Sequence, residues 1–284
     1  MPLRLNRRPA ALLAALALTT ALSTGLTGCA MSYNQATVPA SASMVMPEAQ
    51  AVGIDAKTSN GRIVIVQDGS AGEATVSAEA KLTTQDRADR FTIETTLNSD
   101  GTLVVRPVWP DGKRLSSESC NLEITAPSLH AIVADTSNGS ITLKGGAGLA
   151  QLETSNGAVR VEGREGEVRA HTSNGRIEIT GGAGVLDLKT SNGAIRINGT
   201  SAGPDDAPFQ WRASTSNGSI SLDLVEPVAG RIRASTSNGK ASIERKQGGG
   251  ESRRVVSASS IDLGDGPGEI ILSTSNGSIT VRTP

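Results

Sequence analysis

TSNGSITLKGGAGLAQLE (136–153), TSNGAVRVEGREGEVRAH (154–171), TSNGRIEITGGAGVLDLK (172–189) and TSNGAIRI (190–197) follow one another without a break. The word Thr-Ser-Asn-Gly starts at Thr58, Thr136, Thr154, Thr172, Thr190, Thr215, Thr236 and Thr274, with three successive spacings of 18 after Thr136 and then 25, 21 and 38. Self-similarity at a fixed period is the mark of a repeat architecture. Before each Thr, apolar residues fall at alternate positions: Ala150 and Leu152, Val168 and Ala170, Leu186 and Leu188. After each Gly the alternation resumes: Ile141 and Leu143, Val159 and Val161, Ile177 and Ile179, Ile195 and Ile197. Period two with β-branched enrichment predicts strands of about five residues. A second glycine-bearing turn (Gly145–Gly148, Gly163–Gly166, Gly181–Gly184) separates them, so each unit reads strand, turn, strand, turn.

Asn-Gly between alternating apolar runs is a strong hairpin signal, which makes an antiparallel meander one candidate. A parallel β-solenoid with one coil per 18-residue repeat is the other. Strands this short in a meander would leave the single apolar face uncovered. Proline is absent from 128 to 203, as expected where every N–H enters a bond between coils. In-register stacking also alternates charge, with Arg160, Glu178 and Arg196 in one column and Arg169, Asp187 and Arg212 in another. Two columns disagree: Asp135 falls beside Glu153, and Arg212 beside Arg233. The reading adopted is an all-β parallel solenoid over 136–284, preceded by a less regular β cap over 51–135. Strands are expected in the cap at Ile63–Val66, Ala74–Ala80, Phe91–Leu97, Leu103–Val108 and Leu122–Thr125, with a helical turn near Thr84–Arg90. Ser257–Ser260 reads as a degenerate coil ahead of the last copy.

The N-terminus has Arg4, Arg7 and Arg8, then a run of Ala and Leu up to Leu22, then Leu26-Thr27-Gly28-Cys29. That ending resembles the bacterial lipoprotein lipobox. The resemblance implies cleavage after Gly28, removing 1–28 as signal peptide, and lipidation (diacylglyceryl with palmitate) of Cys29. Ala30 and Met31, with no Asp beside the Cys, imply an outer-membrane address in a Gram-negative host, periplasmic or surface-facing. Residues 29–50, rich in Ser, Ala and Pro, read as a flexible tether. Cleavage leaves 24 basic against 28 acidic residues.

Composition narrows function. Near-neutral charge (27 Lys and Arg against 28 Asp and Glu) offers no basic stripe, so nucleic acid is not an expected partner. Five aromatics are too few for stacking platforms, and two cysteines exclude a disulfide framework or a Cys-based zinc cluster.

Three features together carry a family resemblance: Thr-Ser-Asn-Gly-Ser-Ile at Thr136, Thr215 and Thr274, LEITAP at 122–127, and the Gly-rich segment before Ile270–Val281. The chain resembles the β-strand-repeat domain-of-unknown-function family of bacterial envelope proteins, members of which are labelled adhesins. That resemblance implies a β-solenoid-like rod at the envelope with no established catalytic residues.

The repeated asparagine is the foremost candidate feature. Asn138, Asn156, Asn174, Asn192, Asn217, Asn238 and Asn276 would stack into a structural ladder. By strand parity each shares the side of its Thr and the preceding apolar residues, so the amides are expected inward, bonded to one another. An exposed polar row offered to a flat ligand is the alternative. Gly181–Lys189 is a near miss to the calcium-binding nonapeptide, with Asp187 in the seventh place instead of the sixth, and reads as turn chemistry. Asp205-Asp206 and Asp262 with Asp265 are the carboxylate pairs a glycosidase would need, each without a nearby His. Of the two histidines, His130 and His171, the latter falls at an outward position between Glu153 and Lys189 and reads as a surface residue rather than a metal ligand. Cys120 reads as an isolated thiol or, less simply, one half of an intermolecular disulfide. Arg245–Arg254 reads as a solvated loop. No catalytic residue, metal or cofactor is expected. The functional reading is a lipid-anchored, non-catalytic structural or binding module whose partners are the membrane and an envelope polysaccharide or protein. Its rivals are a carbohydrate-active enzyme on a β-helix and a regulatory partner in envelope stress signalling.

Overall fold

The computed structural model describes residues 36–44, 52–181, 184–200, 209–225, 230–245, 256–258, 260–263 and 268–284. All belong to one unit, Tyr33–Pro284. In chain order the elements are β1 (Ala36–Met44), β2 (Val52–Lys57), β3 (Ile63–Gln67), β4 (Ala74–Leu82), α1 (Gln85–Arg90), β5 (Thr92–Leu97), β6 (Thr102–Val108), β7 (Ser119–Ala126), β8 (Leu129–Thr136), β9 (Ile141–Lys144), β10 (Leu149–Thr154), β11 (Val159–Glu162), β12 (Glu167–Thr172), β13 (Ile177–Thr180), β14 (Leu186–Thr190), β15 (Ile195–Thr200), β16 (Gln210–Thr215), β17 (Ile220–Leu224), β18 (Gly230–Thr236), β19 (Ala241–Arg245), β20 (Val256–Ala258), β21 (Ser260–Leu263), β22 (Gly268–Thr274) and β23 (Ile279–Thr283).

The protein is all-β, with two long, mainly parallel sheets. One runs β1-β4-β7-β3-β9-β11-β13-β15-β17-β23-β19-β20, the other β21-β18-β22-β16-β14-β12-β10-β8-β2-β6-β5. Each 18-residue unit places one strand in each sheet, and equivalent residues pair directly. Thr154 lies between Thr136 and Thr172, and Val159 between Ile141 and Ile177. Copies of one repeat are therefore neighbours in parallel, and the antiparallel meander does not occur among them. Alternation decides which face is core: Ala150, Leu152, Val168, Ala170, Leu186 and Leu188 are buried in one sheet against Val159, Val161, Ile177, Ile179, Ile195 and Ile197 in the other. Neighbours above and below supply the shielding that one thin layer cannot provide for itself.

Layers do not stack in sequence order. The β2–β3 layer sits between β6–β7 and β8–β9. The β22–β23 layer sits between β16–β17 and β18–β19. The first Thr-Ser-Asn-Gly unit, read from sequence as part of an irregular cap, is thus an internal layer. Charge explains the second rearrangement. Sequential stacking would put Arg212 against Arg233; instead Ile271 lies between them and Arg233 meets Glu269 at 3.3 Å. In the other sheet Arg282 lies between Asp223 and Glu244, at 2.8 and 3.1 Å, where sequential order would set two acids side by side. The other discordant column, Asp135 beside Glu153, is present, and Lys57 on the far side of Asp135 approaches it at 3.9 Å.

Both ends of the stack are closed by chain running the opposite way. At one end β4 and β5 pair antiparallel with β7 and β6, and β1 adds antiparallel to β4. At the other, β20 and β21 pair antiparallel with β19 and β18. Two expectations are corrected here. Ser257–Ser260 is not a further parallel coil: β20 and β21 reverse direction around it. Residues 36–44, read as part of a flexible tether, form an edge strand, because Ala36–Met44 alternates apolar and small polar residues and tolerates Pro39 at an edge. The signal and lipidation readings (1–28, Cys29), Asp205-Asp206, Asp265 and 246–254 lie outside the described residues.

Candidate functional site

The Thr-Ser-Asn-Gly corner gives each letter its own task. Thr turns inward and is buried at Thr136, Thr154, Thr172, Thr190, Thr215, Thr236 and Thr274. Its Oγ1 donates to the carbonyl of the Gly one layer away: Thr154 to Gly139 at 2.9 Å, Thr172 to Gly157 at 3.0 Å, Thr190 to Gly175 at 3.1 Å, Thr215 to Gly193 at 3.0 Å. The same oxygen accepts from its own Gly N–H, as in Gly175 to Thr172 at 3.1 Å. At Ser59, Ser137, Ser155, Ser173 and Ser191 the Ser carbonyl accepts both the Ser and the Asn N–H of the next layer, as Ser155 does from Ser173 at 3.1 Å and Asn174 at 2.9 Å. The Gly is required by space: a Cβ at Gly157, Gly175 or Gly193 would stand 1.7 Å from the neighbouring layer's glycine carbonyl oxygen. Conformational freedom is used at the other turn instead, where Gly145, Gly148, Gly163 and Gly166 have φ between 59° and 102°.

Asn points outward. Asn138, Asn156, Asn174, Asn192, Asn217, Asn238 and Asn276 are exposed, so the inward orientation expected from parity fails. Parity breaks because the chain leaves extended geometry at Ser, and it is Thr alone that fills the bend. The amides bond along the stack in one direction. Asn238 Nδ2 donates to Asn276 Oδ1 at 2.8 Å, Asn276 to Asn217 at 2.8 Å, Asn217 to Asn192 at 2.8 Å and Asn192 to Asn174 at 2.8 Å. Asn174 donates to Asn156 at 2.7 Å, Asn156 to Asn138 at 2.7 Å, and Asn138 to Asn60. Asn60, which the sequence reading left out of the ladder, ends it by donating to the Ser116 and Glu118 carbonyls at 3.2 and 3.3 Å.

That foot is held by a buried ion pair. The Glu118 carboxylate is fully buried and accepts from Arg87 Nε at 2.7 Å and Nη2 at 2.9 Å, from Leu115 N–H at 2.9 Å, and from Thr83 N–H and Oγ1 at 3.3 and 3.1 Å. Burial alone would raise this carboxyl; Arg87 and the Leu115 and Thr83 donors overcome it and hold the group at about 2. Thr84 caps the short α1 that carries Arg87, accepting the Arg87 N–H at 3.3 Å.

Other candidates disperse. Asp187 lies in register between Arg169 and Arg212, a charge column in place of a calcium ligand set. His171 is exposed between Glu153 and Lys189, and His130 is exposed on β8. Among the described residues no three of His, Cys, Asp and Glu gather as metal ligands. Cys120 is fully buried, with burial pushing its thiol up to about 12; it cannot reach another chain, so the intermolecular disulfide is withdrawn. Its carbonyl takes the place of the missing glycine carbonyl, accepting Thr58 Oγ1 at 2.9 Å. Sequence reasoning missed Arg164, which sits in a charged stretch, Glu162 to Glu167, that reads as a solvated turn, yet is 2% exposed.

No protein-family model matches the chain, and no curated protein matches it in sequence. Solved structures do resemble it. A proposed adhesin of Bacteroides fragilis aligns over 89% of this chain and 100% of its own at 12% identity, with a TM-score of 0.43. A proposed adhesin of Parabacteroides merdae covers 87% and 96% at 11% identity and 0.31. A proposed cell adhesion protein of Clostridium sporogenes covers 87% and 100% at 12% identity and 0.27. Likeness of this depth does not carry a ligand from those proteins to this one.

Proposed function

We propose that the chain is a lipid-anchored protein of the cell envelope, a two-sheeted β-solenoid that acts as a non-catalytic binding module through its asparagine row. The observation that carries this is the continuity of the amide row across eight layers, seven of whose asparagines are exposed. Within the row each interior Asn commits one N–H and one carbonyl lone pair to its neighbours, leaving one donor and one acceptor free toward solvent. At roughly 4.8 Å per layer this makes a regularly spaced polar track. A hydroxyl-rich polymer such as an envelope polysaccharide matches that chemistry, because hydroxyls donate and accept in equal measure. The anchor rests on Leu26-Thr27-Gly28-Cys29, and six residues separate Cys29 from β1.

Pull-down of polysaccharide from intact envelopes tests the reading. Binding is expected to survive Asn174→Ala alone and to fall at least tenfold in Asn156→Ala/Asn174→Ala/Asn192→Ala. Equal binding by the triple variant and the native chain would overturn it. Labelled palmitate incorporated by the native chain and not by Cys29→Ser would support the anchor; equal incorporation would remove it.

A further inference from the structure

Arg164 stands in the turn between β11 and β12, its side chain folded into the protein. Nη2 donates to the Ala147 carbonyl at 2.7 Å and the Gly148 carbonyl at 3.1 Å, with longer approaches to the His130 carbonyl (3.5 Å) and, from Nη1, to the Gly145 carbonyl (3.4 Å). All these partners are neutral. The acids nearest in sequence are engaged or exposed: Glu162 with Lys144, Glu167 with Arg169, and Glu165 open to solvent. Burial without a carboxylate pulls the guanidinium down to about 10. Nε is buried and has no hydrogen-bond partner among the described residues. A buried cation left unpaired is costly, and so is a buried N–H left without an acceptor.

Beside Arg164 lies a cavity of about 10 Å³, walled otherwise by Val161, Val168, Ile179, Leu186, Trp211 and glycine backbone. The indole N–H of Trp211 does not serve it, being donated to the Gly184 carbonyl at 2.7 Å. This is room for a single small occupant, a water or a monatomic ion. A water there would accept from Nε and could turn its hydrogens only toward glycine backbone, and it would leave the guanidinium charge unmatched. A monatomic anion needs donors only and supplies the missing charge.

We propose that this cavity is a binding site for one small monovalent anion of halide type, held by Arg164 Nε–H and neutralising its guanidinium. Sulfate, phosphate and carboxylates are excluded by size. The site is independent of the asparagine row and of the lipid anchor.

Crystals of the protein soaked in sodium bromide test it by anomalous scattering, and urea unfolding in sodium bromide against sodium gluconate at equal ionic strength tests it in solution. An anomalous peak at hydrogen-bond distance from Arg164 Nε is expected. Bromide at ten times its dissociation constant should raise the folded-to-unfolded ratio about 11-fold, a gain lost in Arg164→Met. Anomalous peaks absent from the cavity at saturating bromide would overturn the proposal, as would a bromide effect that persists in Arg164→Met. Should that variant fail to fold, the bromide map of the native protein decides alone.

Discussion

Thr172→Val tests the physical basis of the repeat most directly, because valine matches threonine in shape and removes only the hydroxyl. Thr172 Oγ1 donates to the Gly157 carbonyl at 3.0 Å in the adjoining layer and accepts the Gly175 N–H at 3.1 Å within its own turn. Thr172 has no exposed surface, and Gly157 and Gly175 are buried, so water cannot replace either bond. A buried polar group stripped of its partner costs about 1–3 kcal/mol, and two are stripped here, giving about 2–6 kcal/mol. Thr172→Ser keeps both bonds and loses one methyl, for about 1 kcal/mol. Urea unfolding of the Cys29→Ser chain measures both variants. Repeat arrays can lose all-or-none behaviour, so exchange of the Gly175 amide is followed as a local readout. It should quicken in Thr172→Val and stay slow in Thr172→Ser. A valine variant within 0.5 kcal/mol of the native chain, with Gly175 still protected, would refute the claim that threonine hydroxyls tie the layers together.

Glu118 predicts an acid limit. Its carboxyl is depressed from 4.5 to about 2, so its contribution, about 3 kcal/mol, is complete above pH 4.5 and is lost as pH falls toward 2. Denaturant midpoints across that window should fall steeply in the native protein and more shallowly in Glu118→Gln, which starts lower. Arg282→Glu should cost about 1–2 kcal/mol by setting an acid between Asp223 and Glu244, with high salt recovering part of it; a neutral outcome would speak against the β17-β23-β19 order. In the Cys29→Ser chain, Cys120 should stay unreactive toward an aromatic disulfide reagent at pH 8 until denaturant is added, as a buried thiol raised to about 12 requires. Prompt labelling of the folded chain would contradict its burial.

Much of this architecture was legible in the sequence, for reasons that can be named. Period-two alternation identified which residues are core, and equal spacing put Thr154 beside Thr136 and Thr172. Layer order was not legible, because near-identical words make every slot look alike to the hydrophobic pattern. Charge carried the missing information: Arg212 facing Arg233 was a warning that something belonged between them, and Ile271 occupies that place. The asparagine orientation failed for a different reason. Parity holds only along extended chain, and at the Ser-Asn step both N–H groups turn onto one carbonyl, so counting by twos no longer tells in from out. Arg164 was hidden because a charged turn residue is normally solvated, and only tertiary packing shows its guanidinium capping the carbonyls of the neighbouring turn.

The corner explains why a row of exposed amides can be ordered at all. Surface asparagines in isolation gain little from bonding one another, since water competes for every donor and acceptor. Here the order is imposed from beneath. Glycine brings the backbones so close that a single Cβ would collide, threonine bonds layer to layer below the surface, and five of the serine carbonyls take two N–H groups each. Asparagine then inherits a spacing set by the ladder, and its entropy of ordering has been met before any ligand arrives. A ligand that spans several layers therefore meets a preorganised surface, and preorganisation is what lets weak contacts add. The same logic says why the row should tolerate one substitution and fail at three: the track's regularity belongs to the backbone, while its contacts are shared out evenly along it.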